Sequence, residues 1–346
     1  MRGSIAHTSM DNKAFAYLIR LLQSAIASRD SFPQDEFMPL APDEWREVYR
    51  LAAKHAVIAV AWSGVENLQS SALDAIKTLP ADLMGKWFAD VQAIHAANIR
   101  MAKQSAQLQA RLKNSGFCSQ ILKGASLAAY YPEPVRRQSA DIDLWVTQPN
   151  NTQTSLRALR QTLLAYLRQQ PDIAIGEIVY HHIETEINGT EVEFHVTPTW
   201  LCNPVHNRRL QQSFARSGQL TPELQELYTL LHAFRHIYHD GIALRHLLDY
   251  HLVCRHNRNI GVQAPQTLYS RLGLLTFARA LDDLTEHYFG NQPSPASLNP
   301  CARHILQALP ERQVSRTIRH DYLSESLFNL PWRTVHYLWR KTNHYV

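Results

Sequence analysis

Apolar positions at helical spacing open the chain. Residues 13–27 repeat them every three or four positions, and Pro42-Asp43-Glu44 starts a second helix with acids where a helix N-terminus favours them. A long stripe over 81–114 runs through Leu83, Trp87, Val91, Ile94, Ile99, Leu108 and Leu112, and Gly116 ends it. Between 117 and 200 the period shortens. Residues 117–122 form a short apolar run, Lys123-Gly124-Ala125-Ser126 begins a short helix, 140–147 alternates as a strand, and 154–168 reads as a helix. Residues 177–187 and 190–197 are two further strands. Asn188-Gly189 between them is a hairpin turn, because both turn positions need positive φ. Helical spacing returns over 221–239, 242–255 and 265–289, and 291–300 is a Pro/Asn/Ser-rich loop.

This order predicts an α+β protein: a small mixed sheet over 116–200 with helices on one face, flanked by helical regions at 10–115 and 201–346. Residues 1–9, MRGSIAHTS, read as an appended leader ahead of a start at Met10. The chain has 346 residues, 45 % of them hydrophobic, enough for a sizeable core. It has no apolar run of about 18 residues, so no membrane span is expected, and no secretory signal pattern is visible. Cys118, Cys202, Cys254 and Cys301 lie far apart with no CxxC pair. That spacing argues against a disulfide framework and a structural zinc site, and favours a cytoplasmic setting. A net charge of +5 mildly favours anionic ligands such as nucleotides. The basic residues are dispersed, so nothing in the charge calls for nucleic acid.

The candidate chemistry lies in two acidic strands. Alternation puts Asp141 and Asp143 on one face of their strand and Ile142, Leu144 and Val146 on the other. In 191–196, Val192, Phe194 and Val196 share the apolar face, and Glu191, Glu193 and His195 the polar one. Adjacent strands would bring Glu193 beside the aspartates. Crowded carboxylates repel, and a divalent cation removes that repulsion; hard oxygen ligands suit magnesium. Upstream, Lys123-Gly124-Ala125-Ser126 sits between a strand and a helix. Backbone N–H groups there can meet an anion, Ser126 adds a hydroxyl and Lys123 a point charge.

The segments Lys123-Gly124-Ala125-Ser126-Leu127-Ala128, Tyr131-Pro132, Pro134, Arg137 and Asp141-Ile142-Asp143-Leu144 together resemble an uncharacterised bacterial nucleotidyltransferase family of the polymerase-beta superfamily. Glu193-Phe194-His195 resembles its acid–apolar–His segment. Leu231-His232, His236, Leu244-Arg245, Leu248 and Asp249 resemble its downstream helices. The resemblance implies transfer of an NMP from an NTP to an acceptor with release of pyrophosphate. It implies two magnesium ions, with manganese as a substitute, at Asp141, Asp143 and Glu193. It places Lys123, Gly124, Ala125, Ser126 and Arg137 at the nucleotide, and lets Glu193 help take the acceptor proton. Ala125 stands where the superfamily often has serine, so Ser126 takes that role; the third acid is Glu rather than Asp. The acceptor is left open among sugar phosphates, metabolites, peptides, proteins and RNA. A non-catalytic nucleotide sensor or adaptor that kept the fold is the alternative.

Other residues carry weaker signals. His232, His236 and His239 share a helical face and Asp240 follows, which evokes zinc or a phosphohydrolase dyad. No further ligands stand at matching spacing, so this helix is expected to pack beside the sheet and line the pocket. Arg245 and Asp249, four apart, are expected to brace their own helix. Arg137 is expected to pair with a phosphate or with an acid, and Arg136 to face solvent. His181-His182 lies near the active face, in acid–base work or in packing. The aromatic and basic segment 331–341 is expected to pack as a terminal helix, with a membrane surface as the lesser reading.

Overall fold

A computed structural model describes residues 2–27, 37–71, 73–148, 155–239, 241–290, 294–310 and 312. The first helices are α1 (Arg2–Ile26), α2 (Pro42–Lys54), α3 (Ile58–Ser71), the single turn α4 (Leu73–Ile76) and α5 (Ala81–Asn114). Pro42 sits in the first turn of α2, and the Ala41 N–H donates to Glu44 Oε2 at 2.7 Å, which explains where that helix begins. Gly116, at φ +83°, lets the chain leave α5, and the Phe117 N–H turns back to the Leu112 carbonyl at 2.9 Å.

Helix α5 links two cores. Leu83, Trp87 and Val91 pack with α1, α2 and α3, whereas Leu108 and Leu112 pack beneath the sheet. Ile99, expected on this stripe, is 54 % exposed. It lies five positions after Ile94, which turns it off the buried face. The middle of the true stripe is polar: it carries Asn98 and the buried Ser105. Asn98 Nδ2 donates to the carbonyls of Val135 at 2.7 Å and Arg137 at 2.8 Å, tying α5 to the chain that leads into the acidic strand.

The sheet comprises β1 (Cys118–Ile121), β2 (Ile142–Thr147), β3 (Ala174–Ile178), β4 (His182–Ile187) and β5 (Thr190–His195), with α6 (Ala125–Ala128) and α7 (Leu156–Leu167) between strands. Its order is β1-β2-β5-β4-β3; β2 and β5 run parallel, and the other neighbours are antiparallel. The single strand expected over 177–187 is two. The Val179 N–H bonds the His182 carbonyl at 3.0 Å, so His181 sits in a turn between β3 and β4. The Asn188-Gly189 hairpin is present, with φ of 53° and 73°.

One face of the sheet is apolar. Ile142, Leu144, Val146, Val192 and Phe194 pack on Leu159, Leu163 and Leu167 of α7 and on the end of α5. The other face carries Asp143, Trp145, Glu193 and His195. It lies under α8 (Pro204–Ser217), α9 (Pro222–His239) and α10 (Leu244–Asn259); Trp145 meets Phe214 at a ring separation of 5.8 Å. Helices thus cover both faces, not one, because Trp145 extends the apolar surface onto the polar side. The expected helix over 265–289 breaks at Gly273 (φ +71°) into α11 (Gln266–Arg271) and α12 (Leu275–Phe289), and α13 (Pro300–Ala308) follows. Residues of α1, α2, α9, α10 and α12 share a single core. All four cysteines are free thiols. No described helix is long and apolar enough to cross a membrane. Residues 331–341 lie outside the described residues.

One buried acid in the helical body gives a stability test. Burial raises the Asp282 carboxyl from 3.8 to about 6, although the Tyr250 hydroxyl donates to it at 2.9 Å. The folded state then binds a proton that the unfolded chain has released, so stability falls as pH rises from about 4 to about 6 and is level above that. Asp282→Asn keeps a partner for Tyr250 without the charge. Its advantage over wild type should be near zero at pH 4 and grow to at most about 3 kcal/mol by pH 7, measured as urea unfolding at the two pH values.

Candidate active site

The site is built where β2 meets β5. The parallel register sets Asp143 opposite Glu193, and Asp141 stands one residue before β2. On the other side of β5, Glu184 of β4 also faces Glu193, and His182 faces His195. Alternation therefore collects carboxylates and imidazoles on one patch of the polar face.

The protein's own cations hold that patch together. Lys123 Nζ lies 2.8 Å from Asp141 Oδ2 and 3.2 Å from Asp143 Oδ2. His195 Nε2 lies 3.0 Å from Asp143 Oδ1 and 2.9 Å from Glu193 Oε2. Asp143 is only 1 % exposed. A carboxylate buried this deeply needs paired charge, which these two groups give. Burial disfavours charge on Lys123, yet Asp143 and Asp141 outweigh it and hold its pKa above the ordinary value. Burial likewise opposes charge on His195, and its hydrogen bonds to Asp143 and Glu193 raise its pKa all the same. Burial would raise the Glu193 pKa, but His195 and His182 pull it below the ordinary range. For Glu191, burial and then Asp141 raise it.

The glycine turn precedes this patch. Gly124 has φ +64°, in the left-handed region, and an added Cβ would meet nothing closer than Asp141 O at 3.7 Å. Its constraint is conformation rather than crowding. Ala125 is exposed, and the Ser126 hydroxyl is buried with no hydrogen-bond partner among the described residues. Because α6 is a single turn, an anion here would rely on local N–H groups and Ser126 more than on a helix dipole.

Arg137 pairs with an acid, the structural one of its two readings. It is 3 % exposed, and its guanidinium forks onto Asp249 of α10, with Nε–Oδ1 and Nη2–Oδ2 both 2.7 Å. Nη1 reaches Ser139 Oγ at 3.0 Å and the Gly124 carbonyl at 3.5 Å. Tyr131 Oη also donates to Asp249 Oδ1 at 2.8 Å. Arg137 thus pins the glycine turn to α10. Asp249 is not the helical partner of Arg245, which donates instead to the Gln138 carbonyl at 3.1 Å. Arg136, expected in solvent, pairs with Glu66 at 2.6 Å and Glu133 at 2.8 Å.

An open cleft lies over the patch, walled by Tyr228, His232, Arg235 and His236 of α9 and by Pro198 and Thr199. Arg235 stacks on Trp200, 5.6 Å above the ring. His232 and His236 do line the pocket, as expected. Their third neighbour is His246 of α10: their ring separations from it are 5.2 and 4.1 Å. The His239 side chain and Asp240 lie outside the described residues. His246 Nδ1 accepts the Ala243 N–H at 3.1 Å, so in the neutral ring Nε2 carries the proton and offers no lone pair to a metal. Burial, then His246, lowers the His232 pKa far below its ordinary value.

Sequence reasoning missed Tyr228 and Arg235, although their spacing with His232 marks one helical face. It also passed over Glu184, which shares the strand period of His182. His246 and the Arg137–Asp249 pair had no local signal, since each depends on helices meeting far along the chain.

The carboxylates and imidazoles form sets that could hold a metal: Asp143, Glu193 and His195 offer ligand atoms within 4.8 Å of one another. Lys123 brings positive charge to both aspartates, where a divalent ion would meet oxygen donors. A family model described as uncharacterised nucleotidyltransferase matches residues 41–290, and the chain belongs to that family. No curated protein and no solved structure matches the chain.

The Arg137–Asp249 pair should be structural. Arg137→Met leaves a carboxylate buried without its partner and should cost about 3–5 kcal/mol in urea unfolding. Adding Asp249→Leu should recover most of that loss, because the second substitution removes the stranded charge.

Proposed function

We propose that the chain transfers a nucleoside monophosphate from an NTP to an acceptor, in the manner of polymerase-beta-type nucleotidyltransferases. The observation that carries this reading is the β2–β5 register, which sets Asp143 beside Glu193, with Lys123 on Asp141 and Asp143 and His195 on Asp143 and Glu193. Membership of a nucleotidyltransferase family supports it. The acceptor oxygen attacks the α-phosphorus, the bond to the β-phosphate breaks, pyrophosphate leaves, and the acceptor proton passes to solvent water.

Asp141, Asp143 and Glu193 are the residues that would hold magnesium, or manganese in its place. Bound there, the ions would activate the acceptor hydroxyl and offset charge on pyrophosphate. Ser126 Oγ and the N–H groups of the Gly124 turn offer donors to the phosphates. Lys123, already in the cleft, offers its ammonium to the same charge. The lowered pKa of Glu193 suits a ligand better than a base, so we assign it no proton transfer. Arg137 acts on the nucleotide only through the turn it braces. The acceptor belongs under α9, against Tyr228, His232 and Arg235.

One observation favours the alternative of a non-catalytic nucleotide binder. Lys123 and His195 satisfy the three acids without any metal. The two readings separate in a pyrophosphate-release assay with magnesium and each NTP in turn, in the presence of a host-cell extract that supplies acceptors. Wild type should release pyrophosphate, and Asp141→Asn/Asp143→Asn should lower release more than about 100-fold, beyond the loss of an outer-shell metal contact. Nucleotide binding with no release from wild type would favour the binder.

A further inference from the structure

The carboxylate patch has a second half that the aspartate pair does not use. Glu184 and Glu193 face each other across β4 and β5, and His182 begins β4 on the same face. His182 Nε2 is 3.2 Å from Glu184 Oε1, and His182 Nδ1 is 3.5 Å from Glu193 Oε2. Lys123 serves the aspartates. Among the described residues, the ion pairs of Glu184 and Glu193 are with imidazoles alone.

The hydrogen bonds fix which nitrogen of His182 is available. Arg235 Nη1 lies 3.2 Å from His181 Nε2, and a guanidinium only donates, so His181 Nε2 is an acceptor. His182 Nδ1 lies 3.1 Å from that same atom and must therefore be the donor. In the neutral ring, Nε2 of His182 then carries a lone pair, and it points at Glu184 Oε1. In that form two acceptors face each other, and either a second proton on Nε2 or a metal ion resolves the conflict. A histidine that gives its other N–H to a fixed neighbour is the usual arrangement for a metal ligand. Here His181 is that neighbour, and Arg235 holds it.

We propose that His182, Glu184 and Glu193 form a second metal seat, distinct from the Asp141–Asp143 pair, that takes a zinc-class divalent ion without nucleotide. One ligand atom from each residue lies within 4.8 Å of the others. Around tetrahedral zinc, with bonds of about 2.0–2.1 Å, ligand atoms lie roughly 3.4 Å apart. Glu184 already meets Nε2, whereas Glu193 Oε2 lies by Nδ1 and has to swing to the Nε2 side to complete the seat. One imidazole and two carboxylates favour zinc over magnesium, since nitrogen ligands suit the softer ion. Three protein ligands leave a fourth position open toward the cleft. Glu193 belongs to both halves and would bridge them.

The seat is tested on the full chain, stripped of metal and titrated with zinc chloride by calorimetry in the absence of NTP. Wild type should bind one equivalent at this seat, and millimolar magnesium should not displace it. Glu184→Gln, at a side chain 36 % exposed and so tolerant of change, should weaken binding more than 10-fold, as should His182→Gln. Asp141→Asn and His236→Gln should leave that equivalent in place, with circular dichroism verifying the fold of each variant. Absence of zinc binding would overturn the proposal. So would binding indifferent to Glu184→Gln, binding lost equally with Asp141→Asn, or binding lost only with His236→Gln, which would put the ion on α9. Pyrophosphate release is not part of this readout, so the seat and the transfer reaction fail independently.

Discussion

The parallel pairing of β2 with β5 sets the terms for everything around it. It fixes Asp143 beside Glu193 on a face that helices then cover, and Asp143 is almost fully buried. Two carboxylates in such a place cannot stand without positive charge nearby. Lys123 enters from the loop after β1, and His195 comes from the end of β5 itself. Each touches two acids, so neither cation can leave without stranding a carboxylate unless another cation takes its place.

The rest of the fold keeps this patch rigid. On the apolar face, α7 and the end of α5 pack the strands into a close-packed layer. On the polar face, Arg137 joins the glycine turn to α10 through paired bonds to Asp249, and Asn98 of α5 holds the carbonyls on either side of that arginine's turn. The loop that carries Gly124 and Ser126 is thereby fixed from two helices at once. Because α5 belongs to both cores, it transmits that fixation between the helical body and the sheet.

The alternating segments were readable because strand period is local. Asp141-Ile142-Asp143 and Glu191-Val192-Glu193 state in adjacent residues which side is wet and which is dry, and Asn188-Gly189 states where the chain reverses. That was enough to find the acids and to pair two of the strands. The break at 179–181 was not readable, since apolar Ile178 and Val179 continue the pattern and only backbone pairing shows the turn. Ile99 misled because an apolar residue near a stripe is not on it, and Asn98, which is on it, is polar. Arg137 stayed between two readings for another reason. A buried arginine and a phosphate-binding one look alike in sequence, and the partner that decides between them is 112 residues away.

The imidazoles give the cleft a character the acids alone would not. His181, His182, His195, His232 and His236 all reach the same space as Asp143 and Glu193. Burial and neighbouring positive groups push His182 and His232 toward the neutral form, while His195, in contact with two carboxylates, is pushed the other way. His195 is thus biased toward the charged form, and His182 and His232 toward the neutral form. These rings share the cleft with the cationic Lys123 and Arg235. A neutral imidazole keeps a lone pair for a softer metal than oxygen ligands select. The same fold therefore combines a hard, oxygen-rich half on β2 with a nitrogen-bearing half on β4, and Glu193 stands on the strand between them.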